Sequence, residues 1–264
     1  SINAKHSLIK IMQSINPFSG EIINHYPKYS SSEVEQIIRK VDYAFHLWKQ
    51  TRFDERSLYM KNLQAILLIK KEELADIMVA EMGKVKREAV AEIEKCAHIC
   101  SFYANNAEEF LKNKPISTEA YESYISYQPI GTVFAVMPWN FPFWQVFRFL
   151  APALMAGNTG VLKHASNVSG CALRIEKLVY EAGFPENVFR TLLIGSEAVK
   201  AVIENPLIKA VTLTGSAPAG KSVAATAGSV LKKSVLELGG SDPYLILEDA
   251  DLEAAARLCV SSRL

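Results

Sequence analysis

Two prolines in the stretch 130–148, IGTVFAVMPWNFPFWQVFR, limit what this chain can build more than any other feature. Residues 132–136 form a short apolar run rich in β-formers, the pattern of a strand buried on both faces. Pro138 and Pro142 then forbid a continuing strand or helix through residues 137–142. A helix-like segment, 143–155, follows. A strand, a short loop and a helix present ligand-binding groups at the carboxyl end of a parallel strand. Asn140 is the one polar amide in this apolar loop. It either caps the following helix or serves a ligand.

Beyond Gly131 apolar β runs alternate with helical segments. Strands are expected at 132–136, 159–163, 188–194, 210–214 and 234–238, with helices near 143–155, 168–182, 197–204 and 219–227. Such alternation predicts an α/β fold, a Rossmann-like parallel sheet with helices on both faces. The apolar run 244–247 and a final helix from Asp251 come after it.

The first 112 residues read differently. Asn16-Pro17 and Ser19-Gly20 mark turns in an irregular or hairpin-like start. Ser32 and Glu35 have capping-box spacing. Val34, Ile37, Ile38, Val41, Phe45 and Trp48 then recur at helical intervals. Asp54 is positioned to cap a second helix with Leu58, Leu63, Ile66 and Leu67 on its apolar face. A third helix is expected to stop at Gly83, and a fourth spans about 86–111. Residues 121–128 alternate with the strand period, so an exposed strand or hairpin here can pair with another subunit. The expected organisation is therefore 1–112, a helical part; 113–129, an oligomerisation-type hairpin; and 130–264, the Rossmann-like part, with the cofactor-binding role of 1–112 and 130–264 implied by the resemblance given below.

Charge and length exclude some partners. With 29 basic and 28 acidic residues the net charge is +1, which gives no electrostatic footprint for nucleic acid or a membrane surface. No apolar stretch approaches the roughly 20 residues needed to span a bilayer. Residues 1–10 have no signal-peptide core, so a cytoplasmic location is expected. Cys96 and Cys100 lack a second pair at zinc spacing and read as buried reduced thiols.

Four short motifs carry possible chemistry. Pro138, Trp139 and Asn140 end the first strand. Lys163, His164, Ala165 and Ser166 end the second, where a ribose or adenosine phosphate can sit. Gly195 ends the third. Gly215 and Ser216 follow the fourth and open a helix whose N-terminus favours phosphate, although the spacing is not GxGxxG and a plain helix cap fits as well. Glu237 ends the fifth strand, ahead of Leu238 and two glycines. It reads as a general base or as a salt-bridge carboxylate.

PWNFP at 138–142, KHAS at 163–166, LTGS at 213–216 and LELGG at 236–240 together resemble the aldehyde dehydrogenase superfamily. NPFSGE near the start and EMGK at 81–84 extend the resemblance over the whole chain. KHASNVSGC and VLELGGSDP look most like the bacterial NAD(P)-dependent succinate-semialdehyde dehydrogenases. The resemblance implies oxidation of succinic semialdehyde to succinate, a small-molecule aldehyde substrate, NAD or NADP as cofactor, and a homo-oligomer. It implies that the amide of Asn140 stabilises an oxyanion and that Glu237 activates water. Pro138, Trp139, Asn140, Lys163, His164, Ala165, Ser166, Gly195, Gly215, Ser216 and Leu238 would line the dinucleotide. Arg148 would hold the substrate carboxylate. Ser166 stands where a glutamate would repel a 2′-phosphate, so NADP is expected to be accepted at least alongside NAD.

The family's nucleophile is a cysteine about 34 residues past the glutamate, near position 271. Cys259 lies only 22 residues past Glu237, in a helix-like run, and does not match. These 264 residues are expected to carry the cofactor-binding half without the catalytic domain, and to be inactive alone. The alternative is a truncated, non-catalytic nucleotide-binding or interaction protein.

Overall fold

The computed structural model describes residues 11–262. The stretch 1–10, where no signal-peptide core is expected, lies outside the described residues. A hairpin of β1 (Ile11–Ile15) and β2 (Ile22–Pro27) comes first. Its turn is held by the Asn16 side chain, which accepts from the N–H groups of Phe18 and Ser19. Four helices follow: α1 (Ser31–Trp48), α2 (Phe53–Ile69), α3 (Lys71–Met82) and α4 (Lys86–Leu111). α3 stops at Gly83, whose φ of 73° only a glycine adopts without strain. A two-residue ladder, β3 (Lys114–Pro115) with β4 (Tyr124–Ile125), leads into the sheet.

That sheet has five parallel strands: β5 (Thr132–Met137), β6 (Thr159–His164), β7 (Phe189–Thr191), β8 (Ile208–Thr214) and β9 (Lys233–Glu237). Their spatial order is β7-β6-β5-β8-β9. The chain runs outward from β5 to β7, returns to the far side of β5 as β8, and ends at β9. The reversal places a crevice outside the carboxyl ends of β5 and β8. The crossovers are α5 (Trp144–Met155), α6 (Ser169–Glu181), α7 (Val199–Glu204) and α8 (Ala217–Ser229); α9 (Leu252–Ser261) follows the sheet. Alternate residues of β5 face opposite layers. Ala135 and Met137 join the core of α2 to α6, while Phe134 packs with the α1 residues Ile37, Ile38 and Val41. Residues from the first 112 contribute to both cores, so the helical part and the sheet share one interior.

Helix α5 is fastened at both ends by the helical part. The N–H groups of Phe143 and Trp144 donate to Glu92 Oε1 at 2.9 Å each. Lys84 Nζ donates to the other Glu92 oxygen and to the carbonyl of Asn140, and lies 3.6 Å from the centre of the Phe141 ring. At the other end, Trp48 Nε1 donates to Leu154 O at 3.1 Å and Arg56 Nη1 to Met155 O at 2.7 Å. Gly157, at φ 85°, lets Arg56 approach; a Cβ there would come within 3.0 Å of Nη1. A carboxylate at the N-terminus and a guanidinium at the C-terminus both complement the helix dipole. Glu81 repeats the device on α6, accepting from the N–H groups of Gly170 and Cys171 at 2.9 Å each.

Several expectations need correction. The capping box is Ser30 with Glu33, two residues earlier than Ser32 with Glu35. Asp54 is not a cap; it sits in the first turn of α2, paired with Arg52, and no side chain caps that helix. Leu58 is exposed, and Met60 takes its place in the core. The strand expected over 121–128 reduces to Tyr124–Ile125, because neither face of the segment is buried. The third sheet strand shrinks from 188–194 to Phe189–Thr191, since Leu193 O turns away to accept from Tyr29 N–H. The first turn expected near 197 is a 3-10 turn, Ser196–Ala198. Residues 244–247 form no strand and are exposed.

Replacing Glu92 by Gln should leave the Lys84 ammonium buried against a neutral partner. Denaturant unfolding is expected to show a loss of about 3–5 kcal/mol. Most of it should return in the double variant Lys84→Met with Glu92→Gln, which removes the stranded charge.

Candidate functional site

All the motifs proposed from sequence fall at carboxyl ends of the parallel strands. They separate into two neighbouring clusters. The first lies beyond β6 and β7, where Lys163, Ser166 and Gly195 line a cavity of about 330 Å³. Two residues that sequence reasoning missed complete its polar wall, Lys28 just past β2 and Glu197 in the 3-10 turn after Gly195. Lys28 Nζ donates to Glu197 Oε1 at 3.0 Å. The Glu197 carboxylate folds back over Gly195, where a Cβ would collide with it at 2.0 Å. Burial lowers the pKa of the Lys163 ammonium, Glu197 opposes that shift, and Lys28 adds to it.

His164 and Ala165 are not among the walls of this cavity. The His164 ring is buried, with Nε2 2.8 Å from Pro142 O and Nδ1 accepting from the Ala165 N–H. A carbonyl only accepts, so Nε2 carries the proton and the ring is neutral. His164 therefore ties β6 to the 138–142 loop, and Lys163 and Ser166 are left to face the cavity.

The second cluster surrounds the crevice between β5, β8 and β9. Trp139 and Asn140 are exposed beyond β5. Phe143 holds the cap position of α5 without a side-chain cap, and Glu92 does that work, so Asn140 is not the helix cap. Its carbonyl is held by Lys84, and among the described residues its side-chain amide has no hydrogen-bond partner. Across the crevice, the Gly215 N–H donates to Glu237 O at 3.0 Å. Ser216 caps α8, its hydroxyl accepting from Ala219 N–H at 3.4 Å. The first turn of α8 carries no acidic residue, which keeps that N-terminus open to an anion. Leu238 lies against Gly220, where a Cβ would meet it at 2.5 Å.

A groove of about 570 Å³ runs from this crevice between α5 and the face of β5, β8 and β9. Arg148 and Glu237 meet in its wall at 3.6 Å, and both are partly exposed. Gln145, one turn before Arg148 on α5, lines the same groove. Its Oε1 is buried with no partner among the described residues. The only sequence signal for it was a lone amide in the apolar run of α5. No cysteine reaches this groove's wall; Cys96, Cys100 and Cys171 are buried, and burial pushes each thiol pKa up.

Burial holds the pKa of His164 down at about 4. The unfolded imidazole, near its ordinary value of about 6.5, takes a proton that the folded ring refuses. The contribution of His164 to stability is therefore fully present above about pH 6.5 and is lost as the pH falls toward 4, by about 3 kcal/mol. Urea midpoints across this range should show that slope, and His164→Gln should flatten it.

This arrangement matches known proteins along its whole length. The model of the aldehyde dehydrogenase family matches residues 3–264. A protein of Synechocystis sp. named probable succinate-semialdehyde dehydrogenase [NADP(+)] is 48% identical over 251 residues, covering 95% of this chain and 55% of that protein. A Mycobacterium tuberculosis protein, succinate-semialdehyde dehydrogenase [NADP(+)] 1, is 45% identical over 253 residues, with 95% and 55% covered. The crystal structure of succinic semialdehyde dehydrogenase from Streptococcus pyogenes in complex with NADP+ superposes with a TM-score of 0.90 at 35% identity, covering 93% of this chain and 54% of that one. The chain thus spans about half the length of the relatives it matches. By its four motifs, its parallel sheet and this match, the chain belongs to the aldehyde dehydrogenase family.

Proposed function

We propose that this chain forms the cofactor-binding part of an enzyme that oxidises succinic semialdehyde to succinate with NAD or NADP. The observation that carries the reading is the meeting of Arg148 and Glu237 at the mouth of the crevice, beside the Asn140 loop. A guanidinium recognises a carboxylate by paired hydrogen bonds. A substrate carboxylate arriving at Arg148 would take the place of Glu237 and release that side chain to act on water. The names of the relatives, succinate-semialdehyde dehydrogenase [NADP(+)], agree with this. A cavity holding Lys163, Ser166 and Gly195 fits the adenosine ribose with or without its 2′-phosphate, and the open N-terminus of α8 fits the pyrophosphate of a dinucleotide.

In this reading a cysteine thiolate, expected near position 271, adds to the aldehyde carbon, and the Asn140 amide donates to the oxygen as it gains charge. The nicotinamide, when bound, supplies the acceptor for the hydride. Glu237 then takes a proton from water as it attacks the thioester carbonyl, and the acyl group leaves as a carboxylate. Lys84 and Glu92 hold the Asn140 loop in place through its main chain. The residues 1–264 alone would form no NAD(P)H, because Asn140 and Glu237 act only on what the thiolate has attacked. Cys259 would not replace that thiolate, since it lies on α9 and is absent from the groove walls. The parts fall at 1–112, 113–129 and 130–264, with the first serving the last as its scaffold. We place the enzyme in the cytoplasm, where buried thiols such as Cys96 and Cys171 stay reduced.

Comparing Arg148→Ala with the parent in the complete enzyme tests the substrate. The variant should lose at least about tenfold in kcat/KM on succinic semialdehyde, while an uncharged aldehyde of similar length changes little. Equal loss on both would remove carboxylate recognition from this arginine. The β3–β4 ladder, with Tyr124 and Ile125 exposed, supports a homo-oligomer built on its open edge. Sedimentation should show an oligomer, and Ile125→Lys should shift it toward smaller species.

A further inference from the structure

We propose that Arg148 restrains Glu237 until a carboxylate on the acyl group displaces it, so that this ion pair selects substrates at hydrolysis as well as at binding. The inference rests on the proposed function and concerns which acyl groups complete its last step. Arg148 Nη2 lies 3.6 Å from Glu237 Oε2 in the wall of the groove of about 570 Å³. Lys233, the other cation in that wall, sits at the opposite end of β9. Among the described residues Arg148 is therefore the cation that meets this carboxylate.

The two partners are held differently. Arg148 stands on α5, whose ends are fixed by Glu92 and by Trp48 and Arg56. Glu237 is fixed by its main chain: β9 pairs with β8, and the Glu237 carbonyl accepts from the Gly215 N–H at 3.0 Å. Its side chain is 56% exposed and makes no hydrogen bond among the described residues, so it is the part free to swing. A contact of 3.6 Å exceeds hydrogen-bond length, and an ion pair this open to water holds weakly. An incoming carboxylate can take two N–H groups of the guanidinium side by side, a stronger arrangement. The succinyl group carries such a carboxylate and is short, so it reaches Arg148 while its thioester carbonyl stays beside Glu237. A butyryl group of the same length has no charge to offer, and Glu237 stays paired and turned from the water. Once freed, Glu237 takes a proton from water as the water oxygen bonds to the acyl carbon. The C–S bond then breaks, and its electron pair leaves on the sulfur.

The test is a single turnover in the complete enzyme. Acyl-enzyme is formed from succinic semialdehyde or from butanal, and its hydrolysis is followed by quenching and intact mass. In the parent the succinyl form is expected to hydrolyse at least about threefold faster than the butyryl form. Arg148→Met, which removes the charge and keeps an unbranched side chain, should raise the butyryl rate about threefold and bring the two rates together. Propionate added to the acetyl form of the parent should speed its hydrolysis, while propionamide should not. Equal hydrolysis of the two acyl groups in the parent, or a butyryl rate that Arg148→Met leaves unchanged, would overturn the restraint. Should Arg148→Met fail to fold, the propionate result decides alone. Glu237→Gln separates this failure from that of the function itself, since it should slow hydrolysis of both acyl groups. Hydrolysis that ignores this change, or no acyl-enzyme from either aldehyde, would overturn the proposed function.

Discussion

Most of what this chain can do depends on α5 being held at both ends by residues from outside the sheet. An isolated helix leaves its first N–H groups and last carbonyls unpaired. Here Glu92 takes two of the first, and Trp48 and Arg56 take two of the last. The same carboxylate is bound by Lys84, which also holds the Asn140 carbonyl. Position and charge are thus set together. The loop that offers the Asn140 amide cannot move without giving up its main-chain hydrogen bonds to a nearly dry ion pair, and charged partners make such bonds stronger than neutral ones.

The helical part therefore works as a jig for the sheet rather than as a domain beside it. Glu81 and Glu92 reach across from α3 and α4 to the starts of α6 and α5. Each serves a helix that follows a strand whose carboxyl end carries candidate site residues. Once those starts are fixed, Lys163 and Ser166 face one cavity while Arg148 and Glu237 face another. The two openings lie on either side of β5, which suits a long ligand with different chemistry at its two ends.

Much of this was legible in the sequence where the signal was local. The span of α4, the stop at Gly83 and the alternation beyond Gly131 all follow from neighbouring residues. The capping box slipped by two positions because the run SSSEVE satisfies the spacing twice, with Ser30 to Glu33 and with Ser32 to Glu35, and only the backbone decides between them. The strand read over 121–128 failed because alternation describes a face, and no layer covers that face. The site shows the same division. Strand ends announced Lys163, Gly195 and Glu237, whereas Lys28, Glu92 and the neutral tautomer of His164 depend on partners far away in the chain.

The distance spanned by the fastenings of α5 and α6 has a kinetic consequence. Trp48 waits for Leu154, 106 residues later, and Glu81 waits for Cys171, 90 residues later. Contacts so remote in sequence slow the search for the native topology. During synthesis the apolar faces of α2 to α4 emerge long before Phe189, the last residue of the core they share. A nascent chain of this kind carries unburied Leu and Met side chains until the sheet strands follow, and such transiently exposed apolar surface is what favours aggregation during folding.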